Sequence, residues 1–188
     1  MRAMFKRHTN EINSISFSPD GRSLVSGSDD RSVRIWNIRD GSSKKLPASL
    51  DASWFSSIAF SPDGRYIAAG DWGYSIWIWD SRTHKLVASW KGHKGPVWCL
   101  GFTPDGKGLM SGGDTTFKSW DVRTLGIHEA VQARKNVIPG DSFPLIRSFS
   151  GHTVRFYFYF MHAVCQDIHN YRTAFILLRS SPITKSGL

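Results

Sequence analysis

Three times along the chain, large apolar residues fall five and two positions before a phenylalanine: Ile12 and Ile15 before Phe17, Phe55 and Ile58 before Phe60, Val97 and Leu100 before Phe102. A spacing of three and then two departs from the strict alternation of a half-buried strand, so it predicts a strand that carries a bulge. Each phenylalanine opens a turn, FSPDG at 17–21 and 60–64 and FTPDG at 102–106. Proline presets φ for the first turn position and glycine accepts positive φ for the last. A second strand is expected in SLVSG, YIAAG and LMSG, a third in SVRIWN, SIWIWD and FKSWD, and a weaker fourth in KKLPASL, KLVASW and PLIRSF.

The turn recurs after 43 and then 42 residues, and a Trp followed by Asn or Asp recurs in register at Trp36, Trp79 and Trp120. Two markers repeating together identify an internal repeat of four short antiparallel strands, the pattern of propeller blades. The expected fold class is all-β, a partial β-propeller of about three blades spanning 8–50, 51–92 and 93–150 within a repeat region 7–153, with a long inserted loop at 123–143.

A fourth unit begins and is not completed. Gly151-His152 stands in register with Gly92-His93, and Phe156, Tyr159 and Met161 supply apolar groups. HAVCQDIHNY then follows where the turn belongs. Residues 154–188 are read as an atypical tail, either a short edge strand at RFYFYF or a disordered aromatic segment, with a helix over about 162–178 as a weaker alternative. Val154-Arg155 is encodable by codons that resemble a splice donor, so translated intron is the expected origin of this tail.

Composition changes the picture little. Apolar and aromatic fractions of 40% and 13% over 188 residues are those of a folded chain. Cys99 and Cys165 have neither paired spacing nor a histidine cluster, so no disulfide framework, zinc site or other metal centre is expected, and the default home is intracellular and reducing. No apolar run approaches the roughly 20 residues of a membrane span, and the N-terminus lacks a signal-peptide core, so a soluble, non-secreted protein is expected. The net charge of +9 invites a nucleic-acid reading, but the tail from Val154 carries +3 of it and elsewhere basic residues lie singly, clustered only at Lys6-Arg7, Lys44-Lys45 and Arg134-Lys135. An ordinary solvated basic surface is expected, with no direct nucleic-acid contact. No phosphate loop, HExxH motif or recognisable carboxylate pair is present, and no cofactor is expected.

The FxPDG turns, Gly92-His93 and the Trp-Asp or Trp-Asn pairs together resemble a WD-repeat β-propeller over about Arg7 to Thr153. His8, Ser26, Asp30 and Trp36, and likewise His93, Ser111, Asp114 and Trp120, contain the residue types of a nucleophilic triad. The resemblance implies a structural network instead: Asp accepts from imidazole, imidazole bonds the Ser hydroxyl, and the hydroxyl meets the indole N–H, with no catalysis. The second unit breaks the pattern with Asp51, Ala69 and Gly73 at the His, Ser and Asp positions, so it is expected to rely on apolar faces. The third has one residue fewer between Ser111 and Asp114, which predicts a strained network or a rebuilt turn.

The same resemblance implies that partners bind on the rim where inter-blade loops and second-to-third-strand loops meet. The matching positions are Glu11, Asn13 and Asp29; Trp54, Ser56 and Trp72; Pro96, Trp98 and Gly113. Three tryptophans on one rim favour a protein or peptide surface, whereas Trp36, Trp79 and Trp120 are expected to be structural.

Among propellers, LVSGSDDRSVRIWNIRDG, the run YIAAGDWGYSIWIWD onward, the long connection from Arg123 to Pro144 and the missing His at Asp51 resemble fungal Tup/Groucho-type general transcriptional corepressors. That implies a nuclear module docking DNA-bound regulators, histone tails or corepressor subunits. The family's helical self-association segment is not matched, since Met1 opens almost directly on a blade, so tetramerisation is not carried over. Two other readings stand beside this scaffold: a basic nucleic-acid module using Lys44, Lys45, Arg134 and Lys135, and a truncated fragment with no independent activity. Three blades leave open strand edges, which invite self-association.

Overall fold

The computed structural model describes residues 5–123 and the backbone of 145–150, and every element among them is a β-strand. The expectations stated above for the tail, the inserted loop and the incomplete fourth unit fall outside these residues.

The first sheet contains β1 (Ile12–Phe17), β2 (Ser23–Ser28), β3 (Val33–Asn37) and β4 (Ser43–Lys45). The second contains β5 (Phe55–Phe60), β6 (Tyr66–Asp71), β7 (Ser75–Asp80) and β8 (Leu86–Lys91). The third contains β9 (Val97–Phe102), β10 (Gly108–Gly113), β11 (Thr116–Asp121) and β12 (Leu145–Ser150). Each is an antiparallel meander with its strands in sequence order. The three sheets are three blades, and their first strands lie side by side, β1 next to β5 and β5 next to β9.

The FxPDG turns form as expected: Gly21, Gly64 and Gly106 adopt φ of 67°, 72° and 68°, and each donates its N–H back to Ser18, Ser61 or Thr103. The odd apolar spacing has its cause in a bulge on every first strand. Pairing skips Asn13 between Ile12 and Ser14, Ser56 between Phe55 and Ser57, and Trp98 between Val97 and Cys99.

The fourth strand of blade one differs from expectation. KKLPASL is not a strand beyond Lys45: β4 pairs at Ser43, Lys44 and Lys45, and Leu46 adds a last bond to Val33. Pro47 has no N–H to continue the ladder, and its carbonyl instead accepts from Trp79 Nε1 at 2.5 Å, tying blade one to blade two.

The apolar core sits between blades. One cluster joins Val25, Val33 and Leu46 to Phe55, Ile58, Ile67, Trp77 and Trp79, and the other joins Ala68, Ile76, Ile78 and Trp90 to Val97, Leu100, Leu109 and Trp120. Hydroxyls on the first strands stitch the same junctions, because Ser14, Ser16 and Ser57 Oγ accept from the backbone N–H of Ile58, Phe60 and Leu100 at 3.2, 3.1 and 3.0 Å.

Candidate functional site

Blade one forms the four-residue network in full. Trp36 Nε1 donates to Ser26 Oγ at 2.8 Å, the Ser26 hydroxyl bonds His8 Nε2 at 2.6 Å, and His8 Nδ1 donates to Asp30 Oδ2 at 2.7 Å. Burial alone would raise Asp30, but hydrogen bonds from Ser32, His8 and the Thr9 amide outweigh it and hold the carboxyl at about 2. The hydroxyl is 1% exposed and already engaged on both sides, so nothing in this arrangement offers a nucleophile to a substrate.

Blade three keeps the same partners with one link stretched. Trp120 Nε1 and His93 Nε2 meet Ser111 Oγ at 2.7 and 2.8 Å, and Asp114 binds the Lys94 and Thr116 amides at 2.9 and 2.8 Å. Its carboxylate stands 3.8 Å from His93 Nδ1, beyond hydrogen-bond range. The cause is the shorter turn, which places Asp114 itself at φ 49°, whereas in blade one the positive φ falls on Arg31, after the aspartate. His93 is held down at about 4, first by burial and then by the nearby Lys118 ammonium, with Asp114 opposing only in part. At neutral pH the His93–Asp114 approach is therefore not an ion pair.

Blade two overturns the expectation of a purely apolar blade. Asp71, fully buried, accepts from Trp77 Nε1 at 2.8 Å and from the Ser75 amide at 2.8 Å, with the Ser53 amide at 3.4 Å. Asp71 stands in register with Ser28, two positions beyond the position of Ser26, and Trp77 stands opposite Ala69. The small alanine leaves the room that the extra indole fills, and Trp77 stacks on Trp79 at 6.3 Å with planes 10° apart. The signal was present in the sequence as a second tryptophan two residues before the repeat tryptophan, facing an alanine.

The rim positions divide into two groups. Asn13 and Ser56, the bulged residues, clasp blades together: Asn13 Nδ2 donates to the Phe55 carbonyl at 3.1 Å and to Asp29 Oδ1 at 2.5 Å, and Ser56 Oγ donates to the Val97 carbonyl. Glu11 is exposed and its carbonyl accepts from the Asp29 amide at 3.0 Å, while Pro96 is half-buried beside Gly113. Trp54, Trp72 and Trp98 form the second group. Trp72 touches both others, with ring centroids 5.4 Å from Trp54 and 4.9 Å from Trp98, in tilted and edge-to-face contacts. The three are 41%, 38% and 43% exposed, and Tyr74, at φ 73° in the same turn as Trp72, is 43% exposed. The geometry has a backbone origin: Trp72 N–H donates to the Trp54 carbonyl, and the bulge turns Trp98 out of the sheet toward them. The centroids are too close to enclose a ligand between rings, so the row offers a continuous aromatic surface.

Among the described residues no three His, Cys, Asp or Glu side chains converge as a metal site. The "WD domain, G-beta repeat" model matches residues 2–37, 44–80 and 84–121. The chain is 47% identical over 109 residues to WD repeat-containing protein SL1-17 of Schistosoma mansoni, covering 57% of this chain and 36% of that protein. It is 32% identical over 117 residues to Protein groucho of Drosophila melanogaster, covering 61% and 16%. The solved structure of U3-55K superposes with a TM-score of 0.65 at 23% identity, over 79% of this chain and 42% of that one. The chain thus spans little more than a third of SL1-17, and less of groucho. At 32% the likeness to groucho does not single out a corepressor branch. The repeats, the His–Ser–Trp networks and these matches together place the chain in the WD-repeat family, as a partial β-propeller.

Proposed function

We propose that this chain is a non-catalytic scaffold that docks an extended protein segment across Trp54, Trp72 and Trp98. The row of three touching, part-exposed indoles carries the reading. Aromatic side chains bury a large area with few rotors to freeze, which makes them efficient anchors. The setting we propose is transcriptional corepression in the nucleus, with DNA-bound regulators, histone tails or corepressor subunits as partners. The resemblance of blades one to three to Tup/Groucho-type sequences supports it, as does the similarity to groucho.

Titration of the protein with synthetic histone-tail and regulator peptides, read by intrinsic tryptophan fluorescence, tests the docking. A reporter assay with the chain tethered to DNA tests corepression. Binding and repression that both fall in Trp72→Ala are expected. Binding that persists unchanged in Trp72→Ala sinks the docking surface, and peptide binding without repression sinks corepression alone. Tight DNA or RNA binding that weakens steeply with salt and depends on Lys44 and Lys45 would instead favour the basic-module reading.

A further inference from the structure

Blade two is flanked by blades one and three, with β1 and β9 each beside β5. Trp54 and Trp72 lie in its loops, just before β5 and just after β6, so their exposure belongs to the loop rim and not to a sheet edge. Register shows what blade one holds at the same two positions. Glu11 precedes Ile12 as Trp54 precedes Phe55, and Ile12 pairs with Ser28 as Phe55 pairs with Asp71. The same backbone bond closes both loops: the Asp29 amide donates to the Glu11 carbonyl at 3.0 Å, and the Trp72 amide donates to the Trp54 carbonyl at 2.9 Å. Blade one therefore carries two carboxylates where blade two carries two indoles.

One side chain joins the two loops. Asn13 Nδ2 donates to Asp29 Oδ1 at 2.5 Å and to the carbonyl of Phe55, the neighbour of Trp54, at 3.1 Å. The chain has a net charge of +9, yet among the described residues no Lys or Arg side chain pairs with Glu11 or Asp29. Lys91, the cation nearest in kind to the Trp72 turn, is held on the Gly73 carbonyl at 2.6 Å, and Arg31 and Lys94, exposed on neighbouring loops, form no ion pair. Neither carboxylate is neutralised by contact.

We propose that the segment docked on the indole row carries a cationic side chain, Arg or Lys, next to its apolar anchor, with the cation on Glu11 and Asp29 and the anchor on Trp54 and Trp72. This rests on the docking reading above and adds the partner's charge to it. A row of indoles selects apolar bulk and is indifferent to sign, apart from a mild preference of the ring face for a cation. The carboxylates supply the choice, because they attract a basic segment and repel an acidic or phosphate-bearing one. An apolar surface beside a carboxylate thins its water, which strengthens the incoming ion pair.

Two synthetic peptides that differ at one place, an Arg-Arg or a Glu-Glu pair before a Leu-Phe anchor, test this by fluorescence anisotropy with the full chain. At low salt the Arg-Arg peptide should bind roughly three- to tenfold more tightly, and the gap should narrow at high salt. The double variant Glu11→Gln, Asp29→Asn preserves an acceptor for Asn13 and should close most of the gap while leaving the circular dichroism of the indoles unchanged. Glu11→Lys, at an exposed residue outside the Asn13 clasp, should also erase the preference, and thermal melts check that each variant is folded. Trp72→Ala should weaken both peptides alike. Equal binding of the two peptides, tighter binding of the Glu-Glu peptide, or a gap that survives both carboxylate changes overturns the cation site and leaves the indole row standing. Binding of both peptides undiminished in Trp72→Ala overturns the row and this inference with it.

Discussion

Trp77 donates its indole N–H to a carboxylate, Asp71, that is fully buried, and the pair holds the loop before β5 against the β6–β7 turn as His8 and Asp30 do in blade one. Removing the carboxylate leaves an indole and the Ser75 amide buried without an acceptor. Asp71→Ala is expected to destabilise the fold by about 2–4 kcal/mol. Trp77→Phe, which keeps most of the ring, leaves the carboxylate short of one donor and should cost about 1–3 kcal/mol. Urea unfolding of the two single variants and the double variant checks this, with a coupling that makes the double variant milder than the sum.

The fold was legible because its signals are local and repeated. The FxPDG turns, the glycine φ values and the three-then-two spacing all follow from positions a few residues apart, and the bulges at Asn13, Ser56 and Trp98 lie where that spacing requires them. The networks of His8 and His93 were legible from spacing once the resemblance was in view. Asp71 was not, since its role depends on Ala69 and Trp77 meeting across two strands, a pairing that no marker position shows. Nor did spacing separate Asn13 and Ser56, which clasp neighbouring blades, from Trp54, Trp72 and Trp98, which meet one another.

His93 makes stability depend on pH. Its ordinary value near 6.5 falls to about 4 in the folded protein, so between those values the unfolded chain binds more protons than the native one. Stability contributed by neutral His93 is full above 6.5, declines as pH falls toward 4 and changes no further below it. The loss amounts to about 3 kcal/mol, at roughly 1.4 kcal/mol for each pH unit between those two values. Melting curves from pH 7.5 to 4 on the wild type and on His93→Gln should show a shallower decline in the variant. Asp30 adds a separate loss on the acid side, as pH falls from 3.8 through about 2.

The junction between blades two and three has no room at Gly70. A Cβ there would stand 2.5 Å from Val97 Cγ1 and 2.8 Å from its Cβ, both on a fully buried side chain. Gly70→Ala is expected to destabilise by about 1–3 kcal/mol through overpacking, although alanine ordinarily favours a strand over glycine. Val97→Ala in the same chain relieves the clash, so the double variant should melt higher than the sum of its parts implies.

Trp72 touches Trp54 on one side and Trp98 on the other, so it couples a row in which the outer two rings have no contact of their own. Each aromatic contact is worth about 0.5–1.5 kcal/mol, but all three rings are part-exposed, and loss of the row costs the fold little compared with loss of Trp77. Trp72→Ala should lower stability by about 1–2 kcal/mol at most. It should also abolish the exciton signal of the coupled indoles in circular dichroism and raise acrylamide quenching of Trp54 and Trp98. Trp98→Ala should leave the Trp54–Trp72 signal in place. An unchanged spectrum in Trp72→Ala would show that the indoles do not form one surface in solution, and a docked peptide would then have no continuous aromatic row to lie on.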